Sequence, residues 1–424
     1  MQTRLRWAFG LAILATAALA AAGCGSSSST TSSSGTAAAT TGASGAAALG
    51  TPNKATGTPI TVGLLNIESG PVTFPEYRQA AQAAADYINN YKGGIGGRPL
   101  KIASCATDGQ PATSGRCATQ VLDKKPLFIL GGADTGAPGA FPVYQRAGLA
   151  YIGGVPFTPV ESNAKNAATF ISVAVADNAA AVAYAADTLG VKTASIMATD
   201  DTQGKFTGSI IQNTMKNAGI KSKYVPVAPD AADLSAPAAS AISSNPDLVY
   251  VEVPGACPAA LKALKSVGYS GKLMGIDPCT SPPALKAAGD AAEGLYFAQP
   301  FVSLDAGGQQ AAVTMAALQK YAPADIALDS IALAGFGSVM NIQAKLSKEN
   351  VNSLTSSQIL PAFEKGSNNP NWLAHGYTCN RQQVPGQAAV CNGWQKIKQV
   401  KNGQVVTVTS DWVNGTKYYK PASQ

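Results

Sequence analysis

From Thr58 onward the apolar residues fall into two textures that alternate along the chain. Short runs rich in branched residues, "ITVGLLNI" (60–67), "PLKIAS" (99–104) and "PLFILGG" (126–132), are separated by longer alanine-rich stretches, "YRQAAQAAADYINNY" (77–91) and "GRCATQVLDKK" (115–125). A short continuous apolar run bounded by turn residues reads as a strand buried on both faces, and a long alanine-rich stretch reads as a helix. Strand and helix in alternation predict βαβ units on a parallel sheet. The pattern restarts after about residue 172 with "AAAVAYAADTLG", "TASIMAT", "FTGSIIQNTMKNAG", "DLVYVEV" and "PAALKALKSVG". The prediction is therefore an α/β protein of two doubly wound lobes. "GLYFAQP" (294–300) adds a strand, 309–321 and 329–347 add helices, and "WQKIKQV" and "GQVVTVTSDW" flank a "KNG" turn near the end.

The first 57 residues do not share this texture. Arg4 and Arg6 precede an apolar run from Trp7 to Ala22, and Ala21, Ala22 and Gly23 stand directly before Cys24. That is the shape of an export signal, expected over 1–23; a short membrane anchor is the other reading of the same run. The small-small-Gly-Cys ending resembles the lipobox of bacterial lipoproteins, which implies a lipid on Cys24 and an extracytoplasmic, membrane-anchored chain. Residues 24–57 hold Gly, Ser, Thr and Ala with almost no charge, a composition that predicts a flexible tether.

Charge changes the picture only by exclusion. Net +7 with 13% charged residues, and no basic run longer than Lys124–Lys125, argues against nucleic acid as a partner. Seven cysteines on an exported chain leave one over, and Cys24 is that one. The other six stand as spaced couples, Cys105 with Cys117, Cys257 with Cys279 and Cys379 with Cys391, and nearest-neighbour bridges are expected among the fifteen possible pairings. No C-x-x-C occurs and His375 is the only histidine, so no metal site is expected.

Ligands of open parallel sheets bind beyond the carboxyl ends of the strands. Those loops read "ESGPVTF" (68–74), "GGADTG" (131–136), "GGVPFTP" (153–159), "TDDTQG" (199–204), "VPGAC" (253–257) and "GIDPC" (275–279). They offer glycine for close backbone approach and a few hydroxyls, amides and carboxylates, a lining suited to a small polar molecule. No G-x-S-x-G, Walker or G-x-G-x-x-G motif is present, so neither an enzyme nor a cofactor is expected. His375 lies away from the strand-end loops, and the adjacent Asp200 and Asp201 read as a solvent-facing residue and a helix cap.

The stretch "INNYKGGIGGRPLKI" (88–102) resembles the segment joining the first helix to the second strand in type I periplasmic binding proteins of the Leu/Ile/Val-binding kind. "SGP" (69–71), "LKSVGYSGKLMGID" and "GDAAEGLYF" (289–297) match further segments of that family, and the resemblance runs from about 58 to 350. It implies two lobes joined by three crossover segments, near 172–177, 275–280 and 350–358. Lobe one is then 58–172 plus 279–352, and lobe two 173–278 plus 353–424. The cleft between them closes by hinge motion.

The implied function is capture of a small polar solute, an amino acid or a similar molecule, by a monomeric lipoprotein that delivers it to the permease of an ABC importer. The alternatives are a ligand sensor read by a membrane receptor, and a non-amino-acid solute such as an amide or organic acid. By position, the residues that would hold an ammonium group are Asp177 and Asp277, and the hydroxyl meeting a carboxylate is Thr135. Ser69 lies in the first ligand loop with Phe74 near its aromatic, and the threonine of the 153–159 loop falls on Phe157 or Thr158. One family tyrosine is replaced by Gln203 and another falls near Pro254, so the walls of the pocket differ from those of the family. Asp177 and Thr135 also have cap-like surroundings, and Asp277 precedes Pro278 as a turn residue would.

Overall fold

The computed structural model describes residues 47–70, 72–350 and 353–421. The export segment, most of the tether, Cys24 and Pro71 lie outside the described residues. In chain order the first sheet is built from β1 (Ile60–Ile67), helix α1 (Pro75–Tyr91), β2 (Leu100–Thr107), α2 (Pro111–Leu122), β3 (Ile129–Gly131), α3 (Ala137–Arg146), β4 (Tyr151–Gly153), α4 (Pro159–Asn163) and β5 (Ala167–Ala168). Its strand order is β2-β1-β3-β4-β5, all parallel. The second half continues with α5 (Ala176–Asp187), β6 (Thr193–Thr199), α6 (Thr202–Asn217), β7 (Lys221–Val227), α7 (Ser235–Ile242), β8 (Leu248–Glu252), α8 (Cys257–Ser266), β9 (Lys272–Gly275), α9 (Pro282–Ala288) and β10 (Tyr296–Gln299). Helices α10 (Gln309–Tyr321), α11 (Ser330–Leu346) and α12 (Ser356–Glu364) follow, then β11 (Lys396–Lys401) and β12 (Gln404–Thr407). The second sheet runs β12-β11-β10-β9-β8-β6-β7, parallel from β10 to β7, with β11 antiparallel to both β10 and β12.

The expected α/β class and two parallel-sheet lobes are present, but two crossings lie elsewhere. A boundary at 279 would give β10 to the first lobe, yet β10 pairs with β9 on one side and β11 on the other. The chain returns to the first lobe only at Phe301, whose ring is buried in that lobe's core. A crossing at 350–358 would likewise place α12 in the second lobe. Ile359 and Phe363 of α12 instead pack in the first core with Leu373, Tyr377 and the Cys379–Cys391 bridge. The third crossing falls between Cys391 and Lys396. Here Cys391 N donates to Thr169 O at 2.9 Å and Gln395 Nε2 to Ser172 O at 3.2 Å, tying it to the first crossing.

The tether is also shorter than expected. Leu49 and Ala55 are buried, Leu49 in the first core, and backbone bonds from Asn53 to Asn90 and from Ala55 to Asn89 dock this segment on the end of α1.

Helices α1 and α11 lie side by side because both present small residues. Ala80, Ala81, Ala83 and Ala84 are buried on α1, and a Cβ on Gly335 of α11 would come within 2.2 Å of the Tyr77 carbonyl oxygen. Gly335 near the start of α11 meets Tyr77 near the start of α1, and Gln343 near its end reaches Gly94 beyond the end of α1. The two helices are therefore parallel, and both begin at the carboxyl edge of the first sheet. The three bridges are Cys105–Cys117, Cys257–Cys279 and Cys379–Cys391, the nearest-neighbour pairing. Each closes a short loop, worth roughly 3 kcal/mol in the chain-entropy picture.

Candidate functional site

On the first lobe, the loop after β1 is held by Glu68, whose carboxylate receives Arg78 Nε at 2.5 Å and a second guanidinium nitrogen at 2.9 Å. Ser69 is exposed and donates to Thr107 O at 3.2 Å. Phe74, the last residue before α1, stacks on Phe157 with ring centroids 5.4 Å apart, forming an aromatic wall from the loops after β1 and β4. The Thr158 hydroxyl is engaged with Glu161 Oε2 at 3.0 Å in the capping box of α4, while Phe157 forms the wall.

The "GGADTG" loop passes so close to β1 that a Cβ on Gly132 would sit 1.7 Å from Leu65 O. Asp134 organises its far side, accepting from Thr107 Oγ1 (2.9 Å), Ser114 Oγ (2.7 Å) and Gly136 N (3.1 Å). This leaves Thr135 exposed, its hydroxyl on Gly109 O at 3.2 Å. It does not cap α3, whose N-cap Gly136 has no side chain to offer.

On the second lobe, Asp177 sits in the first turn of α5 rather than at its cap. The cap residue is Val175, and Asp177 Oδ1 accepts from the neighbouring Asn178 N at 2.8 Å. Asn178 is occupied by the Tyr250 hydroxyl at 2.5 Å. Two residues beyond Tyr250, at the end of β8, is Glu252. It is 5% exposed, and its Oε2 has no hydrogen-bond partner among the described residues. Burial pushes the Glu252 carboxyl up to about 7, against a hydrogen bond from Thr207. The Asp177 carboxyl is pushed well above the usual range, first by burial and then by the charges of Glu252 and Asp277. Asp277 is raised by burial, with Ser330, Lys398, Gln299 and Thr280 opposing. Three carboxyl groups from the start of α5, the end of β8 and the loop after β9 thus share one region of negative potential.

The Cys257–Cys279 bridge joins the loops after β8 and β9 and so fixes the backbone that carries Asp277. Gln203 is exposed in the first turn of α6. Asp201 caps that helix through Gly204 N at 2.7 Å, and Asp200 pairs with Lys205 at 2.8 Å, the division of duty expected of that couple. His375 stacks on Trp394 at 4.8 Å and meets the edge of Trp412, a structural cluster. Among the described residues, no group of His, Cys, Asp and Glu is arranged to hold a metal ion. A groove of about 570 Å³ lined by Lys101, Gln120 and Asp123 lies on the outer edge of the first sheet, apart from all these residues.

Sequence reading missed Glu252, Gln299, Ser330 and Lys398. The signal for Glu252 was an acid closing an otherwise apolar strand, "LVYVE". Lys398 was marked only by the alternation in "WQKIKQV".

A family model described as periplasmic binding protein matches residues 59–392. Among curated protein sequences none matches significantly. Among solved structures, a leucine-binding protein from Thermotoga maritima superposes with a TM-score of 0.68 at 16% identity, over 84% of this chain and 99% of that one. A solute-binding protein of an ABC transporter from Rhodopseudomonas palustris, in complex with 3,4-dihydroxybenzoic acid, gives 0.68 at 16% identity over 84% and 98%. A fatty acid ABC transporter substrate-binding protein from Thermomonospora curvata gives 0.70 at 17% identity over 87% and 96%.

Proposed function

The chain belongs to the periplasmic binding proteins, and we propose that it serves an ABC importer by capturing a small solute that carries a protonated amino group, an amino acid or a close analogue. The observation that carries this reading is the grouping of Asp177, Glu252 and Asp277, in which Asp177 is held up by burial and by both other charges. A cation placed among them relieves that repulsion. On the opposite lobe, the backbone around "GGADTG" offers donors to a carboxylate, joined by the exposed hydroxyls of Ser69 and Thr135 once they turn from the Thr107 and Gly109 carbonyls they now bond. Phe74 and Phe157 offer an apolar wall to a side chain, and Gln203 lies at the rim. No bond is made or broken in the cargo. Contacts in both lobes favour the closed form by differential affinity.

The neighbours named for leucine, dihydroxybenzoic acid and fatty acid cargo show how widely this fold is used, so the cargo must be tested directly. Thermal-shift screening against amino acids, their amides, aromatic acids and fatty acids decides it. A cargo present at a hundred times its Kd adds about 2.7 kcal/mol to stability. Shifts are expected from solutes with a free amino group and not from their deaminated counterparts. A shift produced only by acids lacking the amine overturns the assignment.

The chain is further proposed to be held at the membrane by lipid on Cys24, supported by "AAAGC" and the serine-rich segment behind it. No described helix is long and apolar enough to cross a membrane. Cys24→Ser is expected to move the protein from the membrane fraction to the soluble fraction. Persistence with membranes argues against the anchor.

A further inference from the structure

Both oxygens of the Asp277 carboxylate are engaged before any cargo arrives. Gln299 Nε2 donates to Oδ1 at 2.8 Å, and the Ser330 hydroxyl donates to Oδ2. Gln299 in turn accepts from Lys398 Nζ through its own Oε1. Gln299 ends β10 and Lys398 lies on β11, both in the second lobe, whereas Ser330 opens α11 in the first. The sequence at that helix start is Asp329-Ser330, two residues each able to cap. Asp329 does so, accepting from Ile331 N and Ala332 N, each at 3.0 Å, which leaves the Ser330 hydroxyl to reach across.

The supporting end of the chain is dry. Lys398 is 3% exposed and Gln299 8%. A buried ammonium bonded to an amide oxygen is costly: burial pulls Lys398 down to about 8, and the charges of Asp277 and Asp305 offset only part of that. In such surroundings each hydrogen bond to a charged group is stronger than it would be in water.

We propose that Lys398, Gln299, Asp277 and Ser330 form an interlobe latch beside the second crossing, in which Asp277 joins the lobes and Lys398 and Gln299 hold it in position. Gln299 immediately precedes that crossing, so bending there changes the separation of Ser330 from Asp277. Asp277 is then the point where an event among the cleft carboxylates is transmitted to the hinge. The latch operates in the unliganded protein and does not depend on the nature of the cargo.

Hydrogen exchange of the unliganded full chain, read by mass spectrometry over segments 274–282 and 326–336, tests it. Ser330→Ala is expected to speed exchange about tenfold in both segments, the effect of losing one hydrogen bond to a charged acceptor. Ser330→Thr, which keeps the hydroxyl, is expected to restore wild-type rates in both. Lys398→Met is expected to loosen the same two segments, although neither contains residue 398. Acceleration confined to 326–336 in Ser330→Ala, or wild-type exchange over 274–282, overturns the latch and leaves the cargo assignment untouched.

Discussion

Replacing Glu252 by Gln is expected to stabilise the protein by about 3 kcal/mol at pH 8 and to leave it unchanged near pH 4. The carboxyl sits at about 7 in the fold because burial disfavours its charge, against an ordinary value of 4.5. Between those values the unfolded chain releases its proton first, so the folded state binds more protons and stability falls as pH rises. The contribution of the protonated carboxyl is complete below about 4.5 and is lost as the pH passes through about 7. Gln keeps the shape and has no proton to lose, so no charge forms where the Glu252 Oε2 lacks a partner. Urea unfolding at pH 4, 6 and 8 checks this. Wild type and variant should coincide at the acid end, diverge from about pH 4.5, and keep a constant gap above about pH 7. Glu161 and Glu76, pushed by burial to about 8 and about 7, retain their own share of the pH dependence in both proteins. Parallel curves would mean that the Glu252 charge is compensated in solution.

The same acid that costs stability is assigned to the cargo, and so is its neighbour. Asp177→Ala is expected to weaken binding of an amino-bearing cargo roughly thirtyfold or more, since leaving a desolvated ammonium poorly matched typically costs 2–5 kcal/mol. Its melting temperature should not fall, because α5 is not capped by this side chain and burial already disfavours its charge. Wild-type affinity should also rise from pH 5 to pH 8. Asp177 and Glu252, both held up by burial, must ionise to meet an ammonium. Calorimetry across that range should show a shallower dependence in Asp177→Ala. Equal affinity in variant and wild type would remove Asp177 from the site.

Much of this protein is legible in local pattern. Continuous apolar runs between turns specify buried parallel strands, because a strand covered on both faces has no polar side to show. Alanine-rich stretches specify the helices that cover it. The nearest-neighbour bridges match the pairing expected from cysteines a dozen to two dozen residues apart. The strand-end position of Ser69, Phe74, Thr135, Phe157, Gln203 and Asp277 follows from the parallel topology, whereas Asp177 was named only through the family resemblance. These properties are written within a few turns of chain, and periodicity reports them directly.

What tertiary structure decided is where distant segments meet. The strand "YFAQ" looks the same in either lobe, and only its pairing with β9 and with β11, a hundred residues later, assigns it to the second. Helix α12 belongs to the first core through Ile359 and Phe363, a placement invisible in its own sequence. That the Thr158 hydroxyl enters a capping box depended on Glu161 reaching back to it. That Asp277 faces Ser330, with Lys398 behind it, depended on two lobes and a C-terminal strand converging at one crossing. Burial and electrostatic neighbourhood are long-range properties. A carboxylate acquires its proton affinity, and hence its chemistry, only once the remainder of the chain has excluded water around it.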